Sequence, residues 1–242
     1  MTQDTRQAEL EANLEAVLEK IAGACRRAAR DPRSVELVAV TKYARTEDIA
    51  LLAETGKLRH IGESRVLDAA AKWEQPPLDR FSKSLTKHFI GHLQTNKAAK
   101  AVKFFDQIDS VDSFRLAAEL DRQAGKLGKK LPVLLQLKLT DKDTQSGLVP
   151  EKAEELLRQT EKLQNLLPCG YMGIAPEGAP AGELAEVFGL AKKLFDRDFG
   201  PLMQSRKCQL SLGMSGDFEA AVEAGATVVR VGSAIFKDLA AS

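Results

Sequence analysis

Lys42 closes the run Val35-Glu36-Leu37-Val38-Ala39-Val40-Thr41-Lys42. On an extended strand its side chain shares a face with Val38 and Val40. In a barrel that position lies at the C-terminal mouth, with the ammonium aimed into the pocket. An amine so placed can give up its proton more readily than the reference value of about 10.4 suggests, and can form a Schiff base with a carbonyl. A strand-end lysine that snorkels to water carries the same signature. Position alone leaves both readings open.

A second constellation sits near the other end of the chain. Ser211-Leu212-Gly213-Met214-Ser215-Gly216-Asp217 leads from a strand into a helix, and Val231-Gly232-Ser233-Ala234 leads from the next strand into a helical turn. Glycines let backbone amides approach closely, hydroxyls add donors, and the start of a helix favours an anion. Barrels often bind phosphate in the loops after strands seven and eight. Ordinary capped turns would use the same residues. Arg230 lies in Thr227-Val228-Val229-Arg230-Val231-Gly232, on the face of Val228 and Gly232. A guanidinium directed into a barrel is costly unless it meets an acceptor, an anion or an internal carboxylate.

Other chemistry finds less support. His88 and His92 are four apart, but Phe89-Ile90-Gly91 between them reads as strand and turn, and no acidic residue completes a zinc pattern. Ser211 and Ser215 lack the nucleophile-elbow pattern. Cys25, Cys169 and Cys208 are far apart and odd in number, which suits core filling in a reducing compartment. Lys97, Lys100 and Lys103 make a small basic helix face, the usual look of solvated surface.

The elements that would position these groups alternate regularly. Leu10, Leu14, Val17, Leu18, Ile21 and Cys25 mark an opening helix, with Asp4 and Gln7 at capping-box spacing and Asp31-Pro32 as its stop. Strands are expected at Val35–Val40, Leu58–Gly62, His88–Gly91, Phe105–Ser110, Val133–Leu139, Pro168–Ile174, Gln209–Gly213 and Val228–Gly232. Helical patterns separate them: Thr46–Thr55, Arg65–Trp73, Phe114–Ala124 after the cap Asp112, Glu151–Leu163 after Pro150, a stripe from Leu184 to Phe195, and Phe218 to Val222 before Gly225. Eight such repeats predict an α/β fold, a single (β/α)8 TIM-type barrel over residues 1–242 with an extra N-terminal helix. Its functional loops would include 141–147 and 175–182.

The chain of 242 residues is 44% hydrophobic, enough for one large core, and carries 35 basic against 34 acidic side chains. That near balance argues against a coat for nucleic acid or an anionic membrane. No apolar run approaches a membrane span and no basic-then-apolar leader opens the chain, so a cytoplasmic protein is expected.

Taken together, Val38-Ala39-Val40-Thr41-Lys42, Ile61-Gly62-Glu63, His88 through Lys97, Ser146-Gly147, Met172-Gly173-Ile174, Leu210 through Ala221 and Val229 through Phe236 resemble the pyridoxal phosphate homeostasis protein family. The resemblance runs from about residue 10 to 237. It implies a barrel like that of alanine racemases, with pyridoxal 5'-phosphate (PLP) as cofactor. It makes Lys42 the Schiff-base lysine. Ser211, Ser215, Gly232 and Ser233 match the phosphate-holding positions, with Met214 beside them, and Arg230 matches the arginine facing the pyridine nitrogen. An arginine there keeps the ring neutral and a poorer electron sink than a carboxylate partner would.

The same resemblance implies a PLP-binding protein of vitamin B6 homeostasis, with PLP-dependent apo-enzymes as expected partners; a monomer or weak homodimer is expected, since the sequence shows no decisive patch on the barrel exterior. Racemases of this fold add a domain that supplies a catalytic tyrosine. Here the chain ends just past the last strand, and Tyr43 and Tyr171, both inside the barrel, do not match that acid/base. The alternatives are a racemase-like PLP enzyme and, further off, a barrel that attacks a sugar phosphate with Lys42. Three departures from the family bear on affinity: Ser64 for asparagine near the cofactor, Tyr171 for leucine at the pocket edge, and Lys237 for glycine.

Overall fold

The computed structural model describes residues 3–140 and 145–236. It opens with helix α1 (Gln3–Arg27), whose Leu10, Leu14, Val17, Ile21, Ala24 and Cys25 are buried. Each large apolar side chain so covered contributes about 1.5–3 kcal/mol. Polar ties fix where the helix lies. Arg6 donates to Asp48 at 2.8 and 3.1 Å, and the Asn13 amide donates to the Ile235 carbonyl at 3.1 Å. The helix ends at a left-handed residue, Ala29 (φ 52°), and the Asp31 carboxylate then accepts from the Arg33 amide as Pro32 opens a short turn. Asp4 is not its cap. The helix already includes Gln3, and the Gln7 amide donates to Glu11.

Eight strands follow: β1 (Glu36–Val40), β2 (His60–Glu63), β3 (Thr86–Phe89), β4 (Gln107–Val111), β5 (Leu131–Lys138), β6 (Leu166–Ile174), β7 (Gln209–Ser211) and β8 (Val228–Val231). All pair in parallel with their sequence neighbours, and β8 returns to β1 with Val38 opposite Arg230 and Ala39 opposite Val231, closing the barrel. The connecting helices are α2 (Thr46–Glu54), α3 (Val66–Trp73), α4 (Ala98–Phe104), α5 (Phe114–Lys126), α6 (Ala153–Thr160), α7 (Ala181–Phe199) and α8 (Phe218–Glu223). The expected TIM-type barrel with an added first helix is therefore the fold. Two local expectations shift. Ser113, not Asp112, caps α5 by accepting from the Leu116 amide, and the segment after Pro150 begins as a tighter turn before α6.

Alternation along the strands sends apolar residues outward. Ala39, Ile61, Val229 and Val231 pack beneath α1 and α2, while Phe89, Ile108, Val133, Leu135, Leu137, Leu210 and Leu212 pack beneath α4 to α7. The barrel's interior toward the N-terminal ends of its strands is instead polar. His88 donates through Nδ1 to Asp109 (3.1 Å), which leaves its Nε2 to accept from His60 Nδ1 at 3.1 Å. The Gln107 amide reaches Asp109 at 2.8 Å and Gln209 at 2.7 Å, and Gln209 donates to Glu36 at 3.1 Å. Burial on this scale demands such pairing, because an unpaired polar group there costs more than a hydrogen bond gains.

Candidate functional site

At the opposite end of the barrel the strands open into a cavity of about 1020 Å³. β1 delivers Val40 and the turn after it Lys42, β8 delivers Arg230, and the turns after β7 and β8 deliver Met214 to Asp217, Gly232 and Ser233. The far wall is the loop 174–179 after β6, part of the stretch expected to be functional, with Gln145 beside it. Residues 141–144 of the other expected loop lie outside the described residues, as does Lys237.

Lys42 is exposed at the mouth, and its ammonium lies 5.0 Å from the centroid of the Tyr43 ring. The two occupy the middle of a turn in which the Ala44 amide donates to the Thr41 carbonyl at 3.0 Å. Arg230 is the deepest charge. It is 3% exposed, and its guanidinium donates to Ser211 Oγ at 2.7 Å and to the Gly173 carbonyl at 2.9 Å. Burial pulls its pKa down to about 10, against the opposing pull of Asp109 and Asp217, so it stays charged at neutral pH. No ion pair engages it among the described residues. The guanidinium therefore faces the cavity as a cation with donors to spare.

The turn after β7 is shaped by Gly213 at φ +83°, where a Cβ would sit 2.7 Å from Phe218 Cα. Asp217 accepts from the Met214 amide at 2.6 Å, and Ser215 Oγ accepts from the Gly232 amide at 3.3 Å, locking the two turns together. Gly232 itself approaches β1 so closely that a Cβ would lie 3.0 Å from the Val40 carbonyl. The amides of Ser215, Gly216 and Ser233 line the cavity and donate to no acceptor among the described residues. Unspent donors converging from two turns suit a phosphate. With a lysine amine, a buried cation and this amide cradle on one wall, the residues present fit a phosphorylated pyridine aldehyde.

Six of the seven residues expected to bind the cofactor line this cavity: Lys42, Met214, Ser215, Arg230, Gly232 and Ser233. Ser211 does not. It is fully buried on β7 with its hydroxyl committed to Arg230, because strand pairing sets it one layer below the mouth. Tyr171 is not at the pocket edge. It points away from the barrel axis, donates to Asp198 at 2.6 Å and packs edge-on to Phe199. Strand alternation requires this, since Ile174, three residues on, faces the cavity. Tyr43 stands at the mouth, 65% exposed, so neither tyrosine is inside the barrel. Ser64 does not line the cavity, and its backbone packs where a Cβ on Gly91 would fall. Burial pushes the Cys169 thiol up to about 12 and raises those of Cys25 and Cys208, in keeping with their packing roles.

Sequence reasoning missed a cluster directly behind Lys42. Glu63, at the end of β2, is 3% exposed and accepts at one oxygen from Thr41 Oγ1 (2.7 Å), Trp73 Nε1 (3.2 Å) and Lys72 Nζ (2.5 Å). Lys72 also donates to the Thr41 carbonyl at 2.8 Å. The signal was present as an acidic residue closing an apolar strand, one helix ahead of a lysine.

The alanine racemase N-terminal domain family matches residues 12–240. The pyridoxal phosphate homeostasis protein of Synechocystis sp. is 41% identical over 207 residues, 86% of this chain and 93% of its own. Among solved structures, an unknown protein from Bifidobacterium adolescentis superposes with a TM-score of 0.87 at 31% identity, covering 98% of both chains. PipY of Synechococcus elongatus PCC7942, with PLP bound, superposes with a TM-score of 0.75 at 39% identity, covering 91% of this chain and 99% of its own. A likeness of this extent, on a barrel whose cavity carries Lys42, Arg230 and the two turns, shows that the chain belongs to the pyridoxal phosphate homeostasis protein family.

Proposed function

We propose that this protein binds PLP in the cavity at the barrel mouth and serves PLP homeostasis rather than turnover of a substrate. The observation that carries the reading is the convergence on one wall of the Lys42 amine, the Arg230 guanidinium, which has no ion-pair partner among the described residues, and the amides of Ser215, Gly216 and Ser233, which donate to no acceptor among them. When bound, the cofactor would supply an aldehyde for the Lys42 amine to hold as a Schiff base, with loss of water. The amides and hydroxyls of the two turns would hold its phosphate, with Met214 flanking them. Arg230, positioned by Ser211, would meet the ring nitrogen. A fixed cation there cannot draw electrons as a protonated ring would, which suits a site that stores rather than activates. Likeness supports the same reading, since the relatives from Synechocystis and Pasteurella multocida that are named for PLP homeostasis match over 93% and 96% of their own length.

On this reading the protein is a single PLP-binding barrel domain over residues 1–242, cytoplasmic, a monomer or weak homodimer, and it passes PLP to PLP-dependent apo-enzymes. Among the described residues no helix is long and apolar enough to cross a membrane. A racemase-like activity is the second reading, favoured by the exposed Tyr43 phenol beside Lys42. The test is a visible absorption spectrum of the protein with PLP, borohydride reduction and peptide mapping, then an assay for solvent exchange of amino-acid α-protons. A phosphopyridoxyl group on Lys42 without exchange supports the carrier. Rapid exchange that depends on Lys42 and Tyr43 replaces it with the enzyme, and protein that PLP never modifies removes both.

A further inference from the structure

Thr41 is anchored at every polar atom. Its amide donates to the Gly62 carbonyl at 3.0 Å, its hydroxyl to Glu63 at 2.7 Å, and its carbonyl accepts from both the Ala44 amide (3.0 Å) and Lys72 Nζ (2.8 Å). That carbonyl is the first of the turn whose two central residues are Lys42 and Tyr43. The ammonium that clamps it is held in turn by Glu63, which Trp73 Nε1 and the Thr41 hydroxyl also fix. The Glu63 carboxylate is 4% and the Lys72 side chain 17% exposed. A buried pair of this kind adds little stability over apolar packing of the same shape, so its placement calls for another use.

We infer that Glu63 and Lys72 are positioning residues, a charged brace between β2, α3 and the end of β1 that sets where the Lys42 amine stands. The inference rests on the proposed role of Lys42. The brace acts through the peptide, touching neither the cavity nor any group within it. Glu63 is spent on three donors and Lys72 on two acceptors, so the turn cannot rotate without breaking charge-assisted bonds. A helix–strand junction could be packed without charges. Only a carbonyl that must be held from outside needs an ammonium directed at it.

The test uses Lys72→Met, which removes the clamp, Lys72→Arg, which retains a donor fork, and Glu63→Gln, which removes the charge that holds Lys72. In cofactor-free protein, limiting acylation across a pH series followed by mass spectrometry reads the reactivity of Lys42 beside the exposed Lys20. The expected result is a Lys42 pH profile shifted in Lys72→Met and Glu63→Gln, restored toward wild type in Lys72→Arg, and unchanged at Lys20. With PLP, borohydride-fixed adduct on Lys42 forms about tenfold more slowly in Lys72→Met, the cost of losing one charge-assisted bond. Binding of pyridoxine 5'-phosphate, which has the phosphate but no aldehyde, holds near wild type. Variants that label and react as wild type overturn the brace, and so does equal loss of both ligands in folded protein. If Lys72→Met does not fold, Glu63→Gln decides by the same readouts. Wild-type protein that takes no PLP on Lys42 retires the proposed function, while the acylation profiles still decide the brace.

Discussion

Arg230 Nη1 donates to Ser211 Oγ at 2.7 Å, and both atoms are buried beneath the cavity that the guanidinium faces. The serine thus orients the one deep cation of the site through a single hydroxyl. Ser211→Ala leaves one guanidinium N–H unpaired and Gly173 as the remaining anchor of the group. It is expected to weaken PLP binding about tenfold and to cost about 1–3 kcal/mol of stability. Absorbance titration and urea unfolding check the pair, and the adduct on Lys42 should still form.

The amide cradle of Ser215, Gly216 and Ser233 depends on the two turns staying in register through the Ser215–Gly232 bond. Gly232→Val would drive side-chain atoms into Val40, whose carbonyl already lies 3.0 Å from a built Cβ. Phosphate affinity should fall at least about tenfold, and the variant should no longer distinguish PLP from pyridoxal. Competition by inorganic phosphate, present in wild type and absent in the variant, measures this directly.

His60 gives the fold a pH dependence of defined sign. Burial and the neighbouring His88 ring hold its pKa below the usual histidine range, with Glu36 and Asp109 pulling the other way and Lys207 reinforcing the depression. The unfolded chain therefore takes up a proton first as pH falls below about 6.5. Stability is full above that point and is lost with falling pH until folded His60 itself titrates. Glu36, also depressed, contributes stability above the usual carboxylate range that is lost as pH falls through its folded value. His60→Asn should flatten the Tm profile between about pH 7 and 5.5.

Tyr171→Phe removes the bond to Asp198, a carboxylate held also by Arg197. Burial raises the Tyr171 phenol well above its ordinary range, with Asp198 adding to the shift, so it remains a donor throughout the working pH. The variant should lose about 1–3 kcal/mol in denaturant unfolding and bind PLP as wild type does, since the side chain faces α7.

The barrel was legible because strands buried on their outer face repeat against helices with apolar stripes, and all eight expected strands overlap β1 to β8. Lys42, Arg230 and the glycine-serine turns were legible as departures from those stripes. What escaped was what alternation cannot show. Ser211 and Ser215 look alike in sequence, and only the depth at which β7 ends separates an orienting hydroxyl from a cradle one. The family resemblance implies Tyr171 at the pocket edge, but strand alternation turns its side chain outward to Asp198. Glu63 and Lys72 sit on different elements, and nine residues of sequence hide a 2.5 Å contact.

The polar interior has a consequence for how such a chain can drift. His88, Gln107, Asp109 and Gln209 each bond two partners in one buried network, which His60 joins through His88. Exchanging one for an aliphatic residue strands its neighbour, while exchanging the set together for a greasy interior strands none. These positions are therefore expected to change as a bloc. Lineages should keep all of them or rewrite all of them, and a hybrid barrel that splices half from each kind should fail to fold even where its mouth is intact.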